Sequence, residues 1–141
     1  MKSIYRSQEA KEAVIALYDK QPLLIFHGGN ATTAYNLKYC DFLLPHFHIY
    51  AVDTIGHPGK SDEVSLSPFN RDYGKWGKEV IEQLGYKQMS CFGGSFGAGV
   101  LVKIMCTAPE KITRSVLLVP SAIKNAALIS SINMAFPMCM Y

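Results

Sequence analysis

Ser95 stands in the run Cys91-Phe92-Gly93-Gly94-Ser95-Phe96-Gly97-Ala98-Gly99, and its neighbours are those of a nucleophile. An apolar, strand-prone approach leads in (Met89, Cys91, Phe92), and small and aliphatic residues lead out (Ala98, Val100, Leu101, Ile104, Met105). This pattern predicts strand, sharp turn and helix with Ser95 at the apex, and Gly93-x-Ser95-x-Gly97 has the spacing of a nucleophile elbow. A strained turn lifts the hydroxyl clear of the sheet, and a β-carbon at Gly93 or Gly97 would clash there. The following helix aims free N–H groups at the point where negative charge builds on an attacked carbonyl oxygen. A Gly-rich strand-to-helix turn also holds phosphate in nucleotide-binding folds. Here no Gly-Lys-Ser/Thr follows, and the glycines do not fall as Gly-x-Gly-x-x-Gly with an acidic residue about twenty positions on.

Such a turn needs a sheet beneath it. Ser7 to Lys20 reads as an amphipathic helix with Ser7 as N-cap and Ala10, Val14, Leu17 and Tyr18 as its apolar stripe; Pro22 ends it. Leu23 to Phe26 is a continuous apolar run, short enough for a buried parallel strand, and it enters His27-Gly28-Gly29-Asn30 directly. Tyr35 to Leu44 predicts a helix stopped at Pro45, and Phe47 to Val52 a second buried strand ending at Asp53. The segment from Asp53 to Asp62 is rich in turn formers, and Asp53 is expected to fix it by accepting backbone N–H groups. Asn70 is placed to cap a helix over Arg71 to Leu84 with Tyr73, Trp76, Val80, Ile81 and Leu84 on one face. After the elbow its helix runs to Ala108, and Ser115 to Val119 is a further apolar strand. Strand and helix patterns alternate four times, the signature of an α/β doubly wound, mostly parallel sheet with helices on both faces. Ligands of such sheets bind beyond the carboxyl ends of the strands, where His27 to Gly29, Asp53 to Ser61, Ser95 and Ser121 would all emerge.

Composition bounds the remaining classes. The chain has 141 residues, 49% of them hydrophobic, which fits one globular domain or part of one. Net charge is +3 with scattered basic residues, so neither a nucleic-acid nor an anionic-membrane footprint is present. Cys40, Cys91, Cys106 and Cys139 lack Cys-x-x-Cys spacing, and they read as reduced thiols of a cytoplasmic protein rather than metal ligands or disulfides. The N-terminus is charged and amphipathic, without the apolar core of a signal peptide. No cofactor is expected, and the expected partner is a small-molecule substrate.

Three motifs in register resemble the α/β-hydrolase family. Leu24-Ile25-Phe26-His27-Gly28-Gly29 resembles its first buried strand and oxyanion loop. Asp53-Thr54-Ile55-Gly56-His57-Pro58-Gly59-Lys60-Ser61 resembles its Asp-x-x-Gly-x-Gly-x-Ser loop, with the glycine spacing shifted at Pro58 and Gly59. Gly93-Gly94-Ser95-Phe96-Gly97 resembles the elbow, and Ala108 to Val119 its helix end and next strand. The resemblance implies that Ser95 attacks a carbonyl and forms an acyl-enzyme. It implies Phe96 N–H and Gly29 N–H as the oxyanion hole, with Asn30 as an alternative second donor. Gly28 and Asn30 would line the substrate site, and His27 would be structural, its ring bonding the loop. His57 is expected as a solvated loop histidine, with substrate contact as its alternative. His46 and His48 are expected at a strand boundary, and Trp76 in the core.

The family's triad order is Ser, then Asp or Glu, then His. After Ser95 the only acidic residue is Glu110, and no histidine follows His57. The antiparallel strand pair that usually precedes the first buried strand has no room in Lys20-Gln21-Pro22. The expectation is therefore an incomplete α/β-hydrolase fold: residues 1–120 form the N-terminal part of the core, and residues 121–141 begin a cap, lid or following helix. The tail Asn125 to Tyr141 carries no charge, and its Met134, Met138 and Met140 are candidates to line an acyl pocket. A bare sheet edge beyond the last strand would invite self-association into a homo-oligomer. The function expected is ester cleavage of small to medium acyl substrates. The alternatives are a proline-iminopeptidase-like hydrolase, whose elbow and His-Gly-Gly loop are similar, and a non-catalytic binding protein of the same fold.

Overall fold

The computed structural model describes residues 20–121. The helix expected from Ser7 lies outside them except for Lys20, and so does the cap expected beyond Ser121. Within them the chain forms β1 (Gln21–Phe26), α1 (Thr33–Tyr39), β2 (Phe47–Val52), α2 (Asp72–Gln83), β3 (Met89–Gly94), α3 (Phe96–Thr107) and β4 (Ile112–Leu118), with 3-10 turns at Asp41–Leu43 and Pro109–Lys111. All four strands pair in parallel in the order β2-β1-β3-β4.

The all-apolar stretch in β1 is explained by its central place. Leu23 to Phe26 are buried on both faces because side chains alternate across the sheet. Leu24 and Phe26 join Tyr73, Ile81, Met89, Cys91, Val100, Leu101 and Ile104 in the larger core beneath α2 and α3. Leu23 and Ile25 pack on the opposite face with Cys40, Leu43, Phe47, Ile49 and Phe92. Trp76 is half-buried and meets Phe26 edge-on at 5.9 Å. The thiol of Cys91 lies wholly inside, and burial pushes it up to about 12. Cys40 is also buried, whereas Cys106 is exposed.

Three expectations shift. The helix expected over Tyr35 to Leu44 ends at Tyr39 and gives way to the 3-10 turn, which turns Cys40 into the core against Leu23 and Ile25. The strand expected from Ser115 begins at Ile112, because its polar first half pairs with β3 across a register shift at Met89/Ser90. In α2 the buried set includes Gly74 and Gly77 beside Tyr73 and Ile81. A β-carbon on Gly74 would come 2.5 Å from the Lys103 carbonyl oxygen, and one on Gly77 would strike the Ile104 side chain, so the two glycines let α2 and α3 close on each other. No described helix is long and apolar enough to cross a membrane.

The register brings the carboxyl ends of the strands to one rim. Phe26 lies beside Val52 and Gly93, and Gly94 beside Leu118. The loops carrying His27 to Asn30, Asp53 to Ser61, Ser95 and Ser121 all leave from that rim.

Candidate active site

β3 delivers Ser95, and α3 begins at the next residue. Ser95 is exposed, with φ 51° and ψ −114°, a backbone conformation that L-residues rarely adopt. Its neighbours over-determine that strain. Ser95 N–H donates to the Leu118 carbonyl at 2.8 Å, while its own carbonyl accepts from Gly99 at 3.1 Å and from Ser121 at 3.2 Å. A β-carbon at Gly93 would sit 2.6 Å from the Gly97 carbonyl oxygen, as the elbow spacing requires. A β-carbon at Gly97 would instead strike the carbonyl oxygens of Phe26 and His27, so this glycine lets α3 press onto the end of β1. Asn30 (φ 52°) and Val119 (φ 48°) share the positive-φ region, so each of three strand exits on this rim carries one such non-glycine residue. Backbone strain of this kind costs of order 1–3 kcal/mol per residue and gathers at functional sites.

The loop after β1 lies against the elbow. A β-carbon built on Gly28 would be 3.8 Å from Ser95 Cβ, and one on Gly29 would be 3.6 Å from Phe96 Cβ. Gly28 and Gly29 therefore face the hydroxyl-bearing residue and the first residue of α3, while Asn30 is exposed at the following turn. Among the described residues no side chain hydrogen-bonds the Ser95 hydroxyl.

Two side chains hold that loop. His27 is fully buried; Nδ1 lies 2.7 Å from the Gly28 carbonyl oxygen, and Nε2 lies 2.8 Å from the Thr54 amide nitrogen. Since Thr54 N–H donates, Nε2 is the acceptor and Nδ1 carries the proton. Asp53 accepts from Thr33 N–H at 2.8 Å and Thr33 Oγ1 at 2.9 Å through Oδ1, and from Lys60 N–H at 2.9 Å through Oδ2. The Thr33 amide chiefly, with the Lys60 amide and the Thr33 hydroxyl, holds this carboxyl below its ordinary value against the opposing effect of burial. Asp53 thus fixes its loop, as its sequence position suggested, and also binds the start of α1.

His57 departs from expectation. Its ring is half-buried and lies 4.3 Å from the ring of Phe96, tilted by 39°, and 6.0 Å from that of His27. Its Nδ1 is buried without a hydrogen-bond partner among the described residues. Burial, followed by the nearby His27, holds its imidazole below the ordinary 6.5. On the other side Phe96 meets Tyr73 edge-on at 5.5 Å and 84°. Aromatic packing around Phe96 has no sequence periodicity, since its members come from a loop, α2 and α3. His46 is exposed, and His48 stacks on Tyr50 at 4.6 Å, away from the elbow.

Beside the elbow lies a cavity of about 280 Å³. Phe69, Tyr73, Phe96, Val100 and Ser121 line it, with Lys103 among its walls.

Comparison with known proteins places the chain. The alpha/beta hydrolase fold family matches residues 21–140. The chain belongs to that family. Carboxylesterase YbfK of Bacillus subtilis is 30% identical over 103 residues, covering 73% of the chain and 35% of that protein. The crystal structure of the same esterase superposes with a TM-score of 0.72 at 29% identity, over 83% of the chain and 41% of its partner in the comparison. Naproxen esterase from Bacillus subtilis has a TM-score of 0.74 at 22% identity, over 87% of the chain and 43% of that structure, and shows likeness of fold. The chain thus spans about a third of the length of the curated relatives it matches.

Proposed function

We propose that the intact protein is a serine carboxylesterase that cleaves small to medium esters through an acyl-enzyme on Ser95. The observation that carries this reading is an exposed serine held at φ 51° on the sheet rim, with the first turn of a helix behind it. Attack by the Ser95 hydroxyl on the ester carbonyl puts negative charge on the carbonyl oxygen. The Phe96 and Gly29 amides donate to that oxygen, each worth about 3 kcal/mol of transition-state stabilisation. Gly28 and Asn30 border the substrate, and the cavity walled by Tyr73, Phe96 and Val100 receives an apolar acyl or alcohol group. The base that takes the serine proton and its acidic partner come, on this reading, from later loops of the longer protein, as the family's order requires. The kinship to YbfK, a carboxylesterase, favours ester cleavage over the peptidase alternative.

The experiment is fluorophosphonate labelling of the intact protein beside hydrolysis of p-nitrophenyl acetate. Labelling is expected on Ser95, with turnover falling about a thousandfold or more in Ser95→Ala. Turnover that survives in Ser95→Ala overturns the reading, and a folded protein that neither labels nor turns over assigns it to ligand binding.

A further inference from the structure

His57 reaches back from the β2 exit and packs at 4.3 Å on the residue that opens α3. Phe96 is thereby held between His57 and Tyr73, with Gly29 approaching its β-carbon. Nothing else from the 53–62 loop makes a ring contact with the elbow among the described residues. Among the described residues its buried Nδ1 has no hydrogen-bond partner, so the contact that holds this ring is the one to Phe96.

We propose that the neutral ring of His57 is a positioning group for the oxyanion pole, keeping Phe96 in place, and that uptake of a proton withdraws it. Among the described residues no titratable side chain on the elements packed around it hydrogen-bonds the His57 ring. His27, at the β1 exit, already commits both ring nitrogens, to Gly28 and Thr54. Asp53, at the β2 exit, is bound by Thr33 and Lys60. Tyr73 on α2 faces Phe96, and burial raises its hydroxyl, which leaves it neutral. Within the loop Lys60, Asp62 and Glu63 are exposed. An imidazolium buried here would have an unpaired N–H beside a second histidine, so protonation drives the ring toward water. The sign agrees with the depressed value: the packed form is fully favoured above the ordinary 6.5 and is lost as the pH falls through the lower value of the packed ring. Phe96, deprived of its neighbour, then no longer fixes the amide that donates to the oxyanion.

The functional arm of this inference rests on Ser95 as nucleophile; the structural arm does not. In the intact protein labelled with 15N-phenylalanine, the Phe96 amide, assigned through Phe96→Leu, is followed by NMR from pH 8 to pH 4.5. Its shift is expected to follow the His57 ring, with a midpoint below 6.5, and to lose that transition in His57→Gln. In parallel, kcat/KM for p-nitrophenyl acetate is expected to fall on the acid side as two protons, about a hundredfold per pH unit, and as one, about tenfold, in His57→Gln. A Phe96 amide that stays flat, or that moves identically in His57→Gln, overturns the proposal. An acid limb of the same steepness in both proteins overturns it as well. Turnover that persists in Ser95→Ala removes the serine reading alone, and the Phe96 amide then still decides the role of His57.

Discussion

Thr54 N–H donates to Nε2 of His27 across 2.8 Å, and this one bond ties the exit of β2 to the exit of β1. The imidazole belongs to the frame of the site. Its other nitrogen meets the Gly28 carbonyl, so the ring also sets the loop that faces Ser95. His27→Phe leaves the buried Thr54 amide and the part-buried Gly28 carbonyl unpaired and is expected to destabilise the protein by about 2–4 kcal/mol. Urea denaturation of the intact protein measures this, and a loss under about 0.5 kcal/mol would show that the ring is a spacer.

Asp53 is expected to shape acid stability. Its folded value is depressed, first by the Thr33 amide, so its contribution is complete above the ordinary 3.8 and disappears as the pH falls through the lower folded value. Thermal melts of the parent are expected to weaken below about pH 4, and those of Asp53→Asn to start lower at neutral pH and to show a shallower acid slope. Parallel curves for the two proteins would locate the acid sensitivity elsewhere.

The elbow glycines separate into necessary and tolerant. Gly97→Ala drives a methyl into the Phe26 and His27 carbonyls, which are backbone and cannot rotate aside. A loss of about 3 kcal/mol or more, or no folded protein, is expected. Gly94 has nothing within 4 Å of a built β-carbon, so Gly94→Ala is expected to change stability by less than about 1 kcal/mol in the same denaturation series.

Ser95 itself stores strain at φ 51°. Ser95→Gly removes the β-carbon that makes this conformation unfavourable, and a gain of about 1 kcal/mol in unfolding free energy is expected together with loss of ester hydrolysis. Calorimetry and p-nitrophenyl acetate turnover on the same preparations read both changes. A melting temperature that drops would mean that the hydroxyl itself, and not strain, dominates.

Gly74 predicts a further sensitivity far from the rim. Gly74→Ala forces α2 away from the Lys103 carbonyl and is expected to lower stability by about 1–3 kcal/mol, although alanine is the better helix former. A stabilised variant would show that the two helices can part freely.

Much of this arrangement is legible in the sequence, and the reasons differ from residue to residue. The elbow was readable because a strand, a tight turn and a helix leave small residues at fixed offsets, and both Gly93 and Gly97 prove crowded. β1 and β2 were readable as unbroken apolar runs. The first half of β4 was hidden because Thr113 and Arg114 lie on an exposed stretch, where pairing and not burial makes the strand. The early end of α1 was hidden because Cys40 is claimed by the core, a tertiary effect that local propensity does not carry. The helix-to-helix approach at Gly74 and Gly77 leaves its mark as two glycines one turn apart, which add nothing to the helix's apolar stripe. His57 had no local mark at all, since what places it is the ring of a residue thirty-nine positions later.

The sulfur of Cys91, four residues ahead of the serine on the strand that leads to it, carries a different kind of information. Burial keeps it a protonated thiol far beyond neutrality, so an alkylating reagent finds Cys106 at once and Cys91 only when the sheet comes apart. The native chain therefore contains its own chemical clock: the rate at which Cys91 is capped counts openings of the strand that leads into Ser95, with no dye or tag added.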